Sequence, residues 1–125
     1  MIAYTLIGTN NLEKSLAIYH KLLAEIGGKK AVTVDRVTLY AGVEGTAFFG
    51  IAEPANGQPA TVGNGSMIAL GASSPEEVDR LHARALELGA TDEGAPGPRK
   101  NQGLSFYAGY FRDPDGNKLN FFYMG

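Results

Sequence analysis

A chain of 125 residues, 44% hydrophobic and 19% charged, has the size and balance of one globular domain and resembles neither a disordered chain nor a membrane protein. Lys and Arg total 11 against 13 Asp and Glu, a formal charge of -2 that gives nucleic acid or an anionic membrane no attracting field. The lack of cysteine removes disulfides, thiolate metal sites and cysteine nucleophiles; with no basic leader before an apolar run and no span-length apolar segment, a cytoplasmic protein is expected.

Residues Met1 to Ile7 are apolar and rich in strand formers, and the turn cluster Gly8-Thr9-Asn10-Asn11 after them suits the opening of a helix. Asn10 is the expected N-cap, with Glu13 reaching back as the second half of a capping box. Leu12, Leu16, Tyr19, Leu23 and Ile26 recur at helical spacing and form the expected apolar stripe, ending at Gly27-Gly28. Ala31 to Tyr40 and Thr46 to Ala52 read as strands of a meander, separated by Ala41-Gly42-Val43-Glu44-Gly45. Pro54 to Pro59 breaks the pattern and supplies the one internal linker.

The second half repeats the order. Met67 to Gly71 reads as a strand; Ser74, Pro75 and Glu77 are the cap, first-turn proline and box residue of a helix ending at Gly89. Val78, Leu81, Ala85 and Leu88 form its apolar stripe, with Glu76, Asp79, Arg80, Arg84 and Glu87 toward water. The stretch from Gly94 to Gly103, rich in Gly and Pro, reads as a long loop. Strands Ser105 to Arg112 and Lys118 to Tyr123 follow, joined by the turn Asp113-Pro114-Asp115-Gly116. Asn10 and Gly27 match Ser74 and Gly89 at nearly equal spacing, the mark of a duplicated βαβββ unit. The expected fold is therefore α+β: two βαβββ modules side by side, mixed sheets forming a concave cavity and helices outside. One domain spans residues 1–125, with module one over 1–57, a linker over 54–64 and module two over 65–125.

Three phrases carry a family likeness: Tyr4-Thr-Leu-Ile-Gly-Thr-Asn-Asn-Leu12 with Ser15-Leu-Ala-Ile-Tyr19, Ser66-Met-Ile-Ala-Leu70, and Arg112-Asp-Pro-Asp-Gly-Asn-Lys-Leu-Asn120. With the duplication, they resemble the vicinal oxygen chelate superfamily of glyoxalases, bleomycin-resistance proteins and extradiol dioxygenases over essentially the whole chain. The resemblance implies four inward side chains that hold a divalent cation in metal-dependent members. Those positions match Tyr4, Met67, Asn120 and, late in the first repeat, Gly50. A phenol, a thioether, an amide and a glycine offer no acid or imidazole, so no metal and no other cofactor is expected. His20 and His82 lie on the helices and are expected to face solvent; a displaced metal site is their only other use.

Strand alternation puts Lys118 and Phe122 beside Asn120, Leu6 beside Tyr4, Ala69 beside Met67 and Phe48 beside Gly50. By the resemblance, Tyr110 faces the same cavity, with Phe106 on its side and Arg112 at its end. The candidate ligand-binding set is Tyr4, Phe48, Met67, Tyr110, Asn120 and Phe122, a lining for a flat or apolar molecule; the same side chains would equally fill a closed core. Arg99 and Lys100, in the loop, could hold an anionic group over the cavity mouth or stand as ordinary surface cations.

Three functions follow. The first is a metal-independent protein that binds an aromatic or drug-like small molecule, with no nucleic-acid or membrane partner, as the homodimer that the resemblance implies. The second is a lyase, isomerase or dioxygenase with a non-standard site, whose catalytic candidates are Tyr110, Tyr4 and Arg112. The third is a structural or partner-binding domain without a pocket.

Overall fold

The computed structural model describes residues 1–43, 47–101 and 103–125, without the side chain of Asn101. The expectations for Glu44, Gly45, Thr46 and Gln102 lie outside the described residues. The elements run β1 (Tyr4–Gly8), α1 (Leu12–Ala24), β2 (Lys29–Val34), β3 (Val37–Ala41) and β4 (Phe48–Ala52), then β5 (Ile68–Gly71), α2 (Pro75–Glu87), β6 (Thr91–Asn101), β7 (Leu104–Arg112) and β8 (Lys118–Tyr123). The chain divides into two compact units, Met1–Val62 and Gly63–Gly125, each with one βαβββ run. The sheets are ordered β1-β4-β3-β2 and β5-β8-β7-β6, so the duplication read in the sequence is present in the topology. In each, the strand before the helix pairs in parallel with the last strand of its unit, and the other pairings are antiparallel.

In the first unit α1 begins one residue later than expected. Asn11 is the N-cap, and its side-chain oxygen accepts from the Lys14 amide at 3.1 Å. Asn10 instead reaches across to Ala60: its Oδ1 accepts from the Ala60 amide at 2.6 Å and its Nδ2 donates to the Ala60 carbonyl at 3.1 Å. The stripe shifts accordingly. Ser15, Ile18, Tyr19, Leu22 and Leu23 are buried, while Leu12, Leu16 and Ile26 are only half-buried. Tyr19 packs against Phe49 of β4 with ring centroids 5.2 Å apart, joining helix to sheet. Each large apolar side chain fully buried in this layer contributes about 1.5–3 kcal/mol. The segment Ala31–Tyr40, expected as one strand, is two. A hairpin turns at Asp35, which adopts a left-handed φ of 52°, and pairs Val34 with Val37. Asp tolerates this region because its short polar side chain offsets the strain locally.

The second unit keeps its expected helix. Ser74 Oγ accepts from the Glu77 amide at 3.1 Å, and Pro75 occupies the first turn. The Glu77 carboxylate accepts in return from the Ser73 amide, one residue outside the usual box. Gly89 closes the helix at φ 116°, a conformation that favours glycine. Val78, Leu81 and Ala85 are buried against the sheet; Leu88 is only half-buried. Phe111 and Phe121 stack beneath them at 5.5 Å. The Gly94–Gly103 stretch is no loop: through Asn101 it forms most of β6, paired with β7. Pro96 and Pro98 disguise it, but β6 is an edge strand, where a residue without an N–H is tolerated. Register shifts between Asp92 and Gly94 and between Gly94 and Gly97 accommodate the irregular run.

The Asp113–Gly116 turn is built around a buried carboxylate. Asp113 Oδ1 accepts from the amides of Asp115 at 3.0 Å and Asn117 at 2.9 Å, and Oδ2 accepts from Asn117 Nδ2 at 3.0 Å. Gly116 supplies the left-handed φ of 89°. The turn delivers β8 into register with β7, placing Asn120 opposite Tyr110 and Phe122 opposite Ala108.

Candidate functional site

Each sheet has a face against its helix and a face turned away from it. In the second sheet, two contacts and one buried side chain identify the helix face. The Tyr107 hydroxyl donates to Asp79 on α2 at 2.7 Å, a Cβ at Gly109 would meet the His82 ring at 3.0 Å, and Phe111 is buried. Alternation then puts Phe106, Tyr110 and Arg112 of β7 and Lys118, Asn120 and Phe122 of β8 on the open face, as expected from the sequence. Met67, just before β5, is exposed and shares the parity of Ala69, the cross-strand neighbour of Asn120. In the first sheet Tyr4 and Phe48 are register partners on β1 and β4, both exposed, with Leu6 beside them.

Tyr110 is the centre of the second open face. Its ring leans over Gly94, where a Cβ would meet Tyr110 Cδ2 at 3.2 Å and Arg99 Nη2 at 3.7 Å. Two cations lie against the ring, Arg99 Cζ and Lys118 Nζ each 5.5 Å from its centroid. Arg99 is fixed by carbonyls, its Nη2 donating to Ala95 at 2.8 Å. Beside Tyr110, Asn120 is 1% exposed, and its buried Oδ1 has no hydrogen-bond partner among the described residues. Phe106 and Phe122 add an aromatic pair at 5.1 Å. Arg112 is held by Glu93 at 3.1 Å and by the Gly116 carbonyl at 3.1 Å, so this catalytic candidate is anchored at the end of the strand.

Sequence reasoning missed Glu93, just ahead of the apparent loop, and Gly94, its first residue. It put Lys100 beside Arg99, but the Arg99–Phe106 and Lys100–Ser105 register turns the two to opposite faces. His82 is a second correction. It is buried at 4% exposure, with Nε2 3.0 Å from the Tyr110 carbonyl and 3.1 Å from Asp92 Oδ1, so it ties α2 to β6 and β7. Both neighbours are acceptors, which puts the proton on Nε2. Its four-residue step from Val78 is the available signal, masked because histidine is more often found at polar surface. His20 is exposed as expected, its ring 6.1 Å from Tyr40.

The four positions matched to metal ligands do not fit a divalent cation. Gly50 has no side chain, and a Cβ there would collide with Leu6 Cδ2, approach Leu39 Cδ2 at 2.6 Å and come within 2.9 Å of the Thr5 carbonyl. The space an acid would need is filled by leucine. Tyr4, Met67 and Asn120 offer a phenol, a thioether and an amide, a neutral set unsuited to a hard or borderline cation. Among the described residues no group of three or more His, Cys, Asp or Glu is placed to hold a metal ion. Tyr40, whose pKa is raised through burial, and Tyr107, whose pKa is raised chiefly through its bond to Asp79, both stand on helix faces. No helix of the described residues is long and apolar enough to cross a membrane.

Residues 1–121 match the model of the Glyoxalase/Bleomycin resistance protein/Dioxygenase superfamily. Among solved structures, a glyoxalase/bleomycin resistance protein from Albidiferax ferrireducens T118 is similar at 38% identity and TM-score 0.89, covering 100% of this chain and 99% of that one. A hypothetical protein from S. aureus is similar at 27% identity and TM-score 0.70, covering 99% and 96%. A lactoylglutathione lyase from Agrobacterium tumefaciens, at 19% identity, TM-score 0.68 and coverage of 98% and 92%, shares the fold. No curated protein matches the chain. The superfamily model spans nearly the whole chain, and the duplicated βαβββ topology agrees with it: the chain belongs to the glyoxalase/bleomycin resistance protein/dioxygenase superfamily.

Proposed function

We propose that this protein binds a small, flat or aromatic molecule on the open face of its second sheet, without a resident metal. The observation that carries the reading is Asn120. A buried amide oxygen without a partner costs about 1–3 kcal/mol, a cost relieved when a ligand donor reaches it. It sits beside Tyr110 and next to the Phe106–Phe122 pair, so a polar anchor and an aromatic surface lie on one face. Met67, which shares the parity of Ala69 beside Asn120, extends the set of proposed contacts. The leucine-filled space at Gly50 and the neutral donors at the other three positions support binding without metal. The reading takes the working unit as a homodimer in the cytoplasm; the apolar side chains Tyr4, Leu6, Val32, Val34 and Phe48 that the first sheet exposes support the association alone.

Backbone amide NMR during titration with 2-naphthoate and with 2-naphthamide tests the location. The expected result is shift changes concentrated at Phe106, Tyr110, Asn120 and Phe122, present in EDTA-treated protein. Changes confined to α1 and α2, or none with either compound, would contradict the reading.

A further inference from the structure

The charges around Tyr110 narrow the ligand class. Arg99 on β6 and Lys118 on β8 converge on one phenol ring from the two strands flanking β7, each 5.5 Å from its centroid. Cation–π attraction holds each of them there, but two like charges against one ring also repel. Neither has a carboxylate partner among the described residues; nearby carboxylates are engaged elsewhere, Glu77 with Arg80, Asp92 with His82, Glu87 with Arg84 and Glu93 with Arg112. Of the charged groups facing Tyr110 from β6, β7 and β8, Arg112 and Glu93 neutralise one another at 3.1 Å. Asp92 bonds the buried His82 behind the sheet, and Lys100 has the opposite parity to Arg99. The open face is left with two uncompensated positive charges in a chain of net charge -2.

Arg99 is also built into place. Its Nη2 donates to the Ala95 carbonyl at 2.8 Å, and a Cβ on Gly97 would meet its Nη1 at 3.1 Å, so the backbone bends to seat the guanidinium over the sheet. A cation fixed by carbonyls is pre-organised, and it keeps donors for an incoming acceptor because a guanidinium has five N–H groups. Resting on the proposed binding face, we infer that the ligand is an aromatic anion. Its carboxylate or equivalent group lies between Arg99 and Lys118, and its ring lies along Tyr110 toward Phe106 and Phe122.

Calorimetric titration of the full chain with two matched pairs, benzoate against benzamide and 2-naphthoate against 2-naphthamide, tests the inference. Each pair keeps the ring and removes the charge. The naphthoate is expected to bind at least ~10-fold more tightly than its amide at low salt, and the margin should shrink at high salt. Arg99→Met and Lys118→Met are each expected to weaken naphthoate about fivefold or more and the amide by clearly less, and the double variant should erase the preference. Lys14→Met, on α1, removes one cation elsewhere and should change neither. Equal affinity for acid and amide, tighter binding of the amide, or a double variant that keeps the preference would overturn the aromatic-anion inference and leave the aromatic-binding reading standing. No binding of any of the four compounds would overturn both. The comparison of acid and amide needs no variant, so it decides the matter even where a substitution disturbs folding.

Discussion

Two buried positions in the first sheet show how much one side chain decides. Gly50 holds the place where the superfamily likeness puts an acid, and the Leu6 and Leu39 methyls occupy the space above it. Gly50→Ala forces its Cβ against those methyls and the Thr5 carbonyl, so a loss of about 1–3 kcal/mol in urea unfolding is expected. Tyr40 on β3 is 2% exposed, and its hydroxyl has no partner among the described residues. Tyr40→Phe should leave stability near neutral pH unchanged or raise it by up to about 1 kcal/mol. The alkaline limb is the sharper readout. Burial raises the Tyr40 pKa above 10.0, so the folded state keeps a proton that the unfolded state gives up. That contribution is complete below pH 10.0 and is lost as pH climbs through the folded value. Tyr107, raised chiefly by its bond to Asp79, acts in the same sense. Urea melts above pH 10.0 should show Tyr40→Phe losing less stability with rising pH than the parent chain.

At the scale of the element, both helices were legible in the sequence, and the one that obeys local rules was legible to its first residue. Ser74, Pro75 and Glu77 define the start of α2 by chemistry that needs no tertiary partner, and Gly89 ends it. Ser74→Ala is expected to cost about 1 kcal/mol in thermal or urea unfolding, because the Glu77 amide loses its acceptor. The start of α1 was misplaced by one residue because Asn10 and Asn11 are equally good caps. What separates them is a contact 50 residues away, from Asn10 to Ala60, and sequence spacing does not carry it. Strand β6 was hidden for a related reason: two prolines and three glycines read as a loop, yet an edge strand with bulges accepts them. That error hid Gly94, and it paired Arg99 with the wrong lysine.

For the molecule, the duplication was legible because each unit repeats a strand, a capped helix and a closing hairpin, and both sheets share one connectivity. The open-face residues of β7 and β8 were legible too, since period-two alternation fixes them once one position is placed. What alternation leaves out is chemistry across strands: the convergence of Arg99 and Lys118 on Tyr110, the unpartnered Asn120 oxygen and the tie of His82 to the sheet all depend on register. The central claim is that this member of the superfamily binds an organic molecule without a metal. Thermal unfolding of EDTA-treated protein tests it most directly, with nickel, zinc or manganese added alone and with 2-naphthoate added alone. A ligand that binds only the folded state raises the melting temperature as its concentration exceeds Kd. A rise with 2-naphthoate and none with any of the three metals is the expected result; a rise with stoichiometric metal, and none with 2-naphthoate until that metal is present, would contradict it.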